Sequence, residues 1–190
     1  MSQVKLQAAY YHKPDKRLRE TQAKLMTALR EFFKTGQTFD TIQVTALCQS
    51  AHIARQTFYR HYTTIGEVIE LDIAWVANSF LEQTDKIHDS TRSAPRLMVD
   101  LIDQNRVSFA MIFWSHTEQP VIEYLIRDMR RVNAMRSTNN PPAVFAIELY
   151  ARMLINFVQL MLNHSELSRD DLLKLYQQLI PAPETIFHNE

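Results

Sequence analysis

Thr41 to Tyr62, TIQVTALCQSAHIARQTFYRHY, is the stretch whose reading decides the fold. Val44, Leu47 and Cys48 recur at helical spacing and give a short helix one apolar face. Ala51 to Ala54 makes a corner, with Ile53 directed inward. Phe58 and Tyr62 stand four apart, so they share one face of a second short helix and pack it on the first. The opposite face carries Arg55, Gln56, Thr57, Tyr59, Arg60 and His61. One face therefore belongs to a core and the other is rich in hydrogen-bond donors. A helix that presents such a face at its N-terminal half can enter a major groove and reach base edges.

The flanks extend this pattern. Upstream, Pro14-Asp15 offers a helix start, and Leu18, Leu25, Leu29 and Phe32 make an amphipathic helix to about Lys34. Gly36 stands where a helix end needs a left-handed residue, and Phe39 and Ile42 plug the base of the small head. Residues 1–13 have no clear pattern; Tyr10 to Lys13 are open to two readings, a basic arm along DNA or a frayed terminus.

Downstream, Thr64 caps a helix expected from about Gly66 to Asp85. Its residues Ile69, Ile73, Val76 and Phe80, broadened by Leu71, Trp75 and Leu81, face more than one neighbour. Asp89 to Pro95 reads as a loop. Leu97, Met98, Leu101 and Ile102 begin the next helix, Phe109 to Trp114 is a compact apolar run, and Glu118-Gln119-Pro120 restarts a helix closed by Asp128 to Arg131. Asn139 to Pro142 is the sharpest break. Ala143–Asn163 is then apolar on nearly every side, and Ser168 caps a last helix, Ser168–Ile180, ended by Pro181 and Pro183. Two late helices with surplus apolar surface predict a symmetric four-helix seam between two copies; a central core helix in a monomer is the alternative.

Composition sets the outer limits. The 190 residues allow one domain or two small ones and a substantial core. Two glycines and no run of alternating β-branched residues predict an all-α chain. No apolar stretch reaches spanning length without charge, and the single cysteine, Cys48, fits a reducing cytoplasm, so a cytoplasmic protein with no membrane partner is expected. The formal net charge of zero conceals an asymmetry. Up to Glu67, ten Lys/Arg face five Asp/Glu; beyond it, eleven face sixteen. A basic head on an acidic body suits phosphate binding by the head alone. The histidines are scattered, and neither a Gly-rich phosphate loop nor a nucleophile motif is present, so neither an enzyme nor a cofactor is expected.

Val44-x-x-Leu47-Cys48-x-x-Ala51-x-Ile53, followed by Thr57-Phe58-Tyr59-x-His61-Tyr62, resembles the helix-turn-helix of the tetracycline-repressor (TetR) family. Gly36-x-x-Phe39-Asp40-x-Ile42 and the layout of the chain fit as well. The resemblance implies a three-helix DNA-binding head over residues 1–65 and a helical ligand-binding and dimerisation body over residues 66–190, about nine helices in all. It places base reading on Arg55, Gln56 and Thr57, and phosphate contacts on Tyr59 and His61, with Thr45 from the supporting helix and Arg60 on the same face. The implied partners are a double-stranded operator, a second copy bound through the two last helices, and a small-molecule effector. Three positions depart from the family pattern: His52 replaces the usual corner Gly, Ala54 the usual capping Ser, and Ile65 the usual Lys. These three favour the rival reading, an adaptor of the same fold that binds a protein or ligand and no DNA. The pocket that the resemblance implies has Trp75, Phe109, Phe113, Trp114, His116 and Tyr124 as candidate lining residues, core packing being the alternative for each.

Overall fold

The first described helix starts where a capping carboxylate stands. In the computed structural model, which describes residues 15–84, 90–135 and 141–180, the Leu18 amide donates to Asp15 Oδ1 at 2.7 Å. This satisfies one of the amides that a helix start leaves without a partner. Helix α1 runs Lys16–Lys34 and ends at Gly36, whose φ of 73° is the left-handed conformation glycine adopts at least cost. A 3-10 turn, Phe39–Thr41, leads to α2 (Val44–Ser50) and α3 (Arg55–His61). Then follow α4 (Gly66–Thr84), α5 (Ser90–Gln104), α6 (Arg106–Trp114), α7 (Glu118–Met135), α8 (Pro141–Asn163) and α9 (Arg169–Leu179). The fold is all-α, with nine α-helices and no strand among the described residues.

The chain divides into two units. One comprises Met1–Asn78 and Val107–Thr117, the other Ser79–Arg106 and Glu118–Glu190. The division at residue 65 is what the family resemblance implies; the first unit extends beyond that residue to take in most of α4 and nearly all of α6. Its core is built on the predicted periodicity. Leu25 and Leu29 of α1, Leu47 of α2 and Phe58 of α3 are fully buried. Each such side chain contributes about 1.5–3 kcal/mol by leaving water. Helix α6 supplies Phe109, Met111 and Ile112 to the same unit.

Trp114 closes that unit at the 3-10 turn. Its indole N–H donates to the Gln37 carbonyl at 2.9 Å, and its ring meets Phe33 and Phe39 edge-on at 5.5 and 5.1 Å. Arg30 of α1 lies 3.1 Å from the Ser108 hydroxyl and 3.6 Å from Asp72 Oδ2, joining α1, α6 and α4. Burial pushes the Asp72 carboxyl above its usual range, opposed by the Ser108 hydrogen bond and the Arg30 charge. Gly66, at the start of α4, passes so close to α6's end that an added Cβ would stand 2.9 Å from Thr117 Cγ2.

In the second unit α7 packs on α8, and α9 on α5. The buried hydroxyls of Tyr150 and Tyr176 pair at 3.3 Å, and Phe157 meets the Tyr176 ring edge-on. Arg106 donates to the Met161 and Leu162 carbonyls, covering groups that the end of α8 leaves open. Arg169 holds Asp100 in a two-pronged ion pair. Ser168 caps α9 as its position predicts, accepting from the Asp171 amide.

Three local expectations change. The loop expected at Asp89–Pro95 is helical from Ser90, with Pro95 inside α5. Ala94, Val99, Leu101 and Ile102 are buried, so the apolar stripe extends back past the proline, and its burial offsets the one missing backbone bond. Helix α7 continues past Arg131 to Met135. Helix α8 is less uniformly apolar than its composition suggests. Ile147, Tyr150, Ala151, Leu154, Ile155 and Val158 face inward, while Arg152, Asn156 and Gln159 are exposed. Val144–Asn163 nonetheless has the length and hydropathy of a membrane span, with 44% of it buried. The arm at Tyr10–Lys13, Asp89 and the terminal prolines lie outside the described residues.

Candidate nucleic-acid interface

The helix-turn-helix is shaped mainly by its backbone. After α2, the Ala51 amide donates to Leu47 O and the Ile53 amide to Cys48 O. Between them His52 takes a φ of 53°. That conformation is uncommon for a residue with a side chain, and histidine is among those that tolerate it best. Ala54 starts α3 without a side-chain cap; its carbonyl accepts from the Thr57 and Phe58 amides. Phe58 and Tyr62 are wholly buried, as their spacing predicts. They turn Arg55, Gln56, Tyr59 and Arg60 to solvent, with Thr57 and His61 half-buried. Thr45 is exposed on α2.

The exposed face carries organised positive charge. The Arg55 guanidinium lies 6.0 Å from the centre of the Tyr59 ring, and Tyr59 meets Phe58 edge-on at 5.3 Å. Neither Arg55 nor Arg60 is held in an ion pair among the described residues. Their charges and donors therefore point outward. A cation weakly held on an aromatic ring and flanked by an amide suits an anionic partner with acceptor edges. Ile65 is buried, so at that position the chain uses core packing where a lysine would offer charge.

The candidate pocket residues are divided between the two units. Trp75, Phe109, Phe113, Trp114 and His116 belong to the first unit and Tyr124 to the second. Trp114 spends its polar edge on Gln37, and His116 is exposed with a φ of 56° just beyond α6. Phe109 and Tyr124 are buried; Trp75 and Phe113 are half-buried. Among the described residues, no three of His, Cys, Asp and Glu are grouped to hold a metal ion.

Sequence reasoning passed over Gln22. This α1 side chain is 1% exposed; its amide donates to the Val68 carbonyl at 2.8 Å and accepts from the Tyr62 hydroxyl. The only signal was a polar residue between Leu18 and Leu25 on an otherwise apolar stripe. The cap of α4 is more legible. The Glu67 amide lies 3.4 Å from Thr64 Oγ1, as a Thr three residues before a Glu suggests, while Glu67 Oε2 accepts from the amide one residue earlier, that of Thr63.

The same arrangement of helices occurs in Lin0861 from Listeria innocua. The two structures superpose with a TM-score of 0.80, covering 88% of this chain and 94% of Lin0861, at 30% sequence identity. This chain and Lin0861 belong to one family. What the Lin0861 family shares through this comparison is the all-helical fold, and no activity comes with it. No family model matches the chain, and no curated protein matches it in sequence.

Proposed function

We propose that this member of the Lin0861 family is a TetR-like one-component transcriptional repressor. It binds a pseudo-palindromic operator as a dimer and releases it when a small molecule binds the body. The observation that carries the reading is the α2–α3 pair, whose α3 buries Phe58 and Tyr62 and turns Arg55, Gln56, Tyr59 and Arg60 outward. Arg55 and Gln56, at the start of α3, can make paired hydrogen bonds to guanine and adenine. Tyr59, His61 and Thr45 serve the phosphates. The protein acts by binding, in the cytoplasm, and has no catalytic role.

Two copies meet through α8 and α9. Phe145 and Leu149 are 74% and 60% exposed, and Leu179 of α9 is 54% exposed. Large apolar side chains so exposed are covered favourably by the same surface of a second copy. A dimer places two recognition helices at a fixed separation, so a change in that separation weakens both half-sites together. Helix α4 carries the change from body to head.

An adaptor of the same fold is the second reading, favoured by the uncapped Ala54 and the buried Ile65. One experiment separates them: titrating salt against the duplex upstream of the protein's own gene and against scrambled duplex. The repressor reading expects a preference for the native duplex that survives rising salt, and its loss in Arg55→Ala and Tyr59→Ala with fold and dimer intact. Equal, salt-fragile binding to both duplexes favours the adaptor.

A further inference from the structure

Helix α3 has seven residues and no side-chain cap at its start. Apolar packing of Phe58 holds it in the head, but such packing has no direction and permits a small roll or slide. Hydrogen bonds do have direction. Tyr62, the residue that ends α3, donates its hydroxyl to the amide oxygen of Gln22. The nitrogen of the same amide donates to Val68 in the first turn of α4. One buried side chain of α1 thus grips the end of α3 and the start of α4, 40 and 46 residues away. The Thr63–Glu67 and Thr64–Glu67 bonds fix the turn between these two helices, so the assembly is tied at three points.

A core Gln is a costly choice unless its directionality is used. An apolar residue of similar shape would fill the same space without needing partners. Burial, helped by the negative charges of Glu67 and Asp72, holds the Tyr62 phenol above the ordinary tyrosine range, so it stays a donor further into the alkaline range.

We propose that Gln22 is a positioning residue for α3, setting the roll of the recognition helix against α1 and α4. For DNA this rests on the function proposed above. Its side chain touches no base or phosphate and acts through Tyr62.

The test uses the full chain and two variants. The double variant Gln22→Met/Tyr62→Phe removes both side-chain partners while keeping their shape, and the Val68 carbonyl it also releases lies within α4, so its urea midpoint should stay near wild type. Tyr62→Phe alone leaves the Gln22 oxygen without its donor and supplies a second variant should the double one fold poorly. Three quantities are read: the urea midpoint, amide exchange across Arg55 to Tyr62, and the preference for native over scrambled duplex as salt rises.

At matched stability the double variant is expected to exchange about tenfold faster in that segment than wild type, as a locally loosened helix does. Its preference for native duplex should fall about tenfold, with the salt slope lowered by about one for each phosphate that the tilted helix no longer reaches. Wild-type exchange together with wild-type preference in both variants overturns the proposal and leaves Gln22 as core filling. If the wild-type chain shows no preference for native duplex, the DNA reading fails by itself. Exchange then decides: faster exchange in α3 upholds the positioning role, and unchanged exchange overturns it.

Discussion

Removing the Trp114 indole should loosen the first unit by an amount that separates its two kinds of contact. Trp114→Phe deletes the N–H bond to the Gln37 carbonyl, 2.9 Å long, and keeps a ring near Phe33 and Phe39. A hydrogen bond of this kind contributes about 1 kcal/mol, and the half-buried Gln37 leaves room for water to replace the lost donor. The expected cost is therefore about 1 kcal/mol. Trp114→Ala also removes two edge-on ring pairs, each worth about 0.5–1.5 kcal/mol beyond its area. Its total should reach about 3 kcal/mol, the low end for a tryptophan truncation, because the side chain is only half-buried. Urea denaturation followed by far-ultraviolet circular dichroism measures both. A Trp114→Ala variant within about 0.5 kcal/mol of wild type would refute the reasoning, because that is the scale of an ordinary surface change.

Three more outcomes follow from the geometry. His52→Gly relieves a left-handed residue and should stabilise the chain by about 0.5 kcal/mol, the strain relieved being partly offset by the freer unfolded glycine; thermal unfolding checks it. The Asp72 carboxyl is raised by burial, so the stability it contributes is full below the unfolded pKa and is lost as pH rises through the folded value. Asp72→Asn should therefore flatten the fall in stability between the unfolded and folded pKa values, and an unchanged stability–pH curve would contradict it. Phe145→Asp with Leu149→Asp should abolish dimers in analytical ultracentrifugation and leave helicity intact, since both side chains are exposed; dimers that persist would place the seam elsewhere.

The head was legible because its signals are local. Phe58 and Tyr62 four apart, Gly36 after the last turn of α1, and Asp15 as its cap each constrain only their near neighbours in sequence. The assignment of α6 to the head was not legible. Trp114 and Gln37 are 77 residues apart, and an apolar run such as Phe109 to Trp114 declares that it will be buried without declaring against what. The same limit hid Gln22, whose partners lie in other helices. Pro95 misled in the opposite direction: a residue that usually breaks helices sits within α5, where the buried stripe from Ala94 to Ile102 outweighs it. The outward polar face of α3 was visible in outline from residue types alone, whereas the seating of Arg55 near the Tyr59 ring needed coordinates.

Cys48 makes the head its own stopwatch. It is the single cysteine of the chain and is 2% exposed on the inner side of α2. Burial pushes its thiol above the usual cysteine range, against a smaller opposing pull from the Arg55 charge. A water-borne thiol reagent can reach the sulfur only when an opening uncovers α2, so labelling reports the local or global openings that expose it. Any duplex or small molecule that holds α2 and α3 in place should slow that clock. Binding could then be followed on the unmodified sequence, with no engineered cysteine.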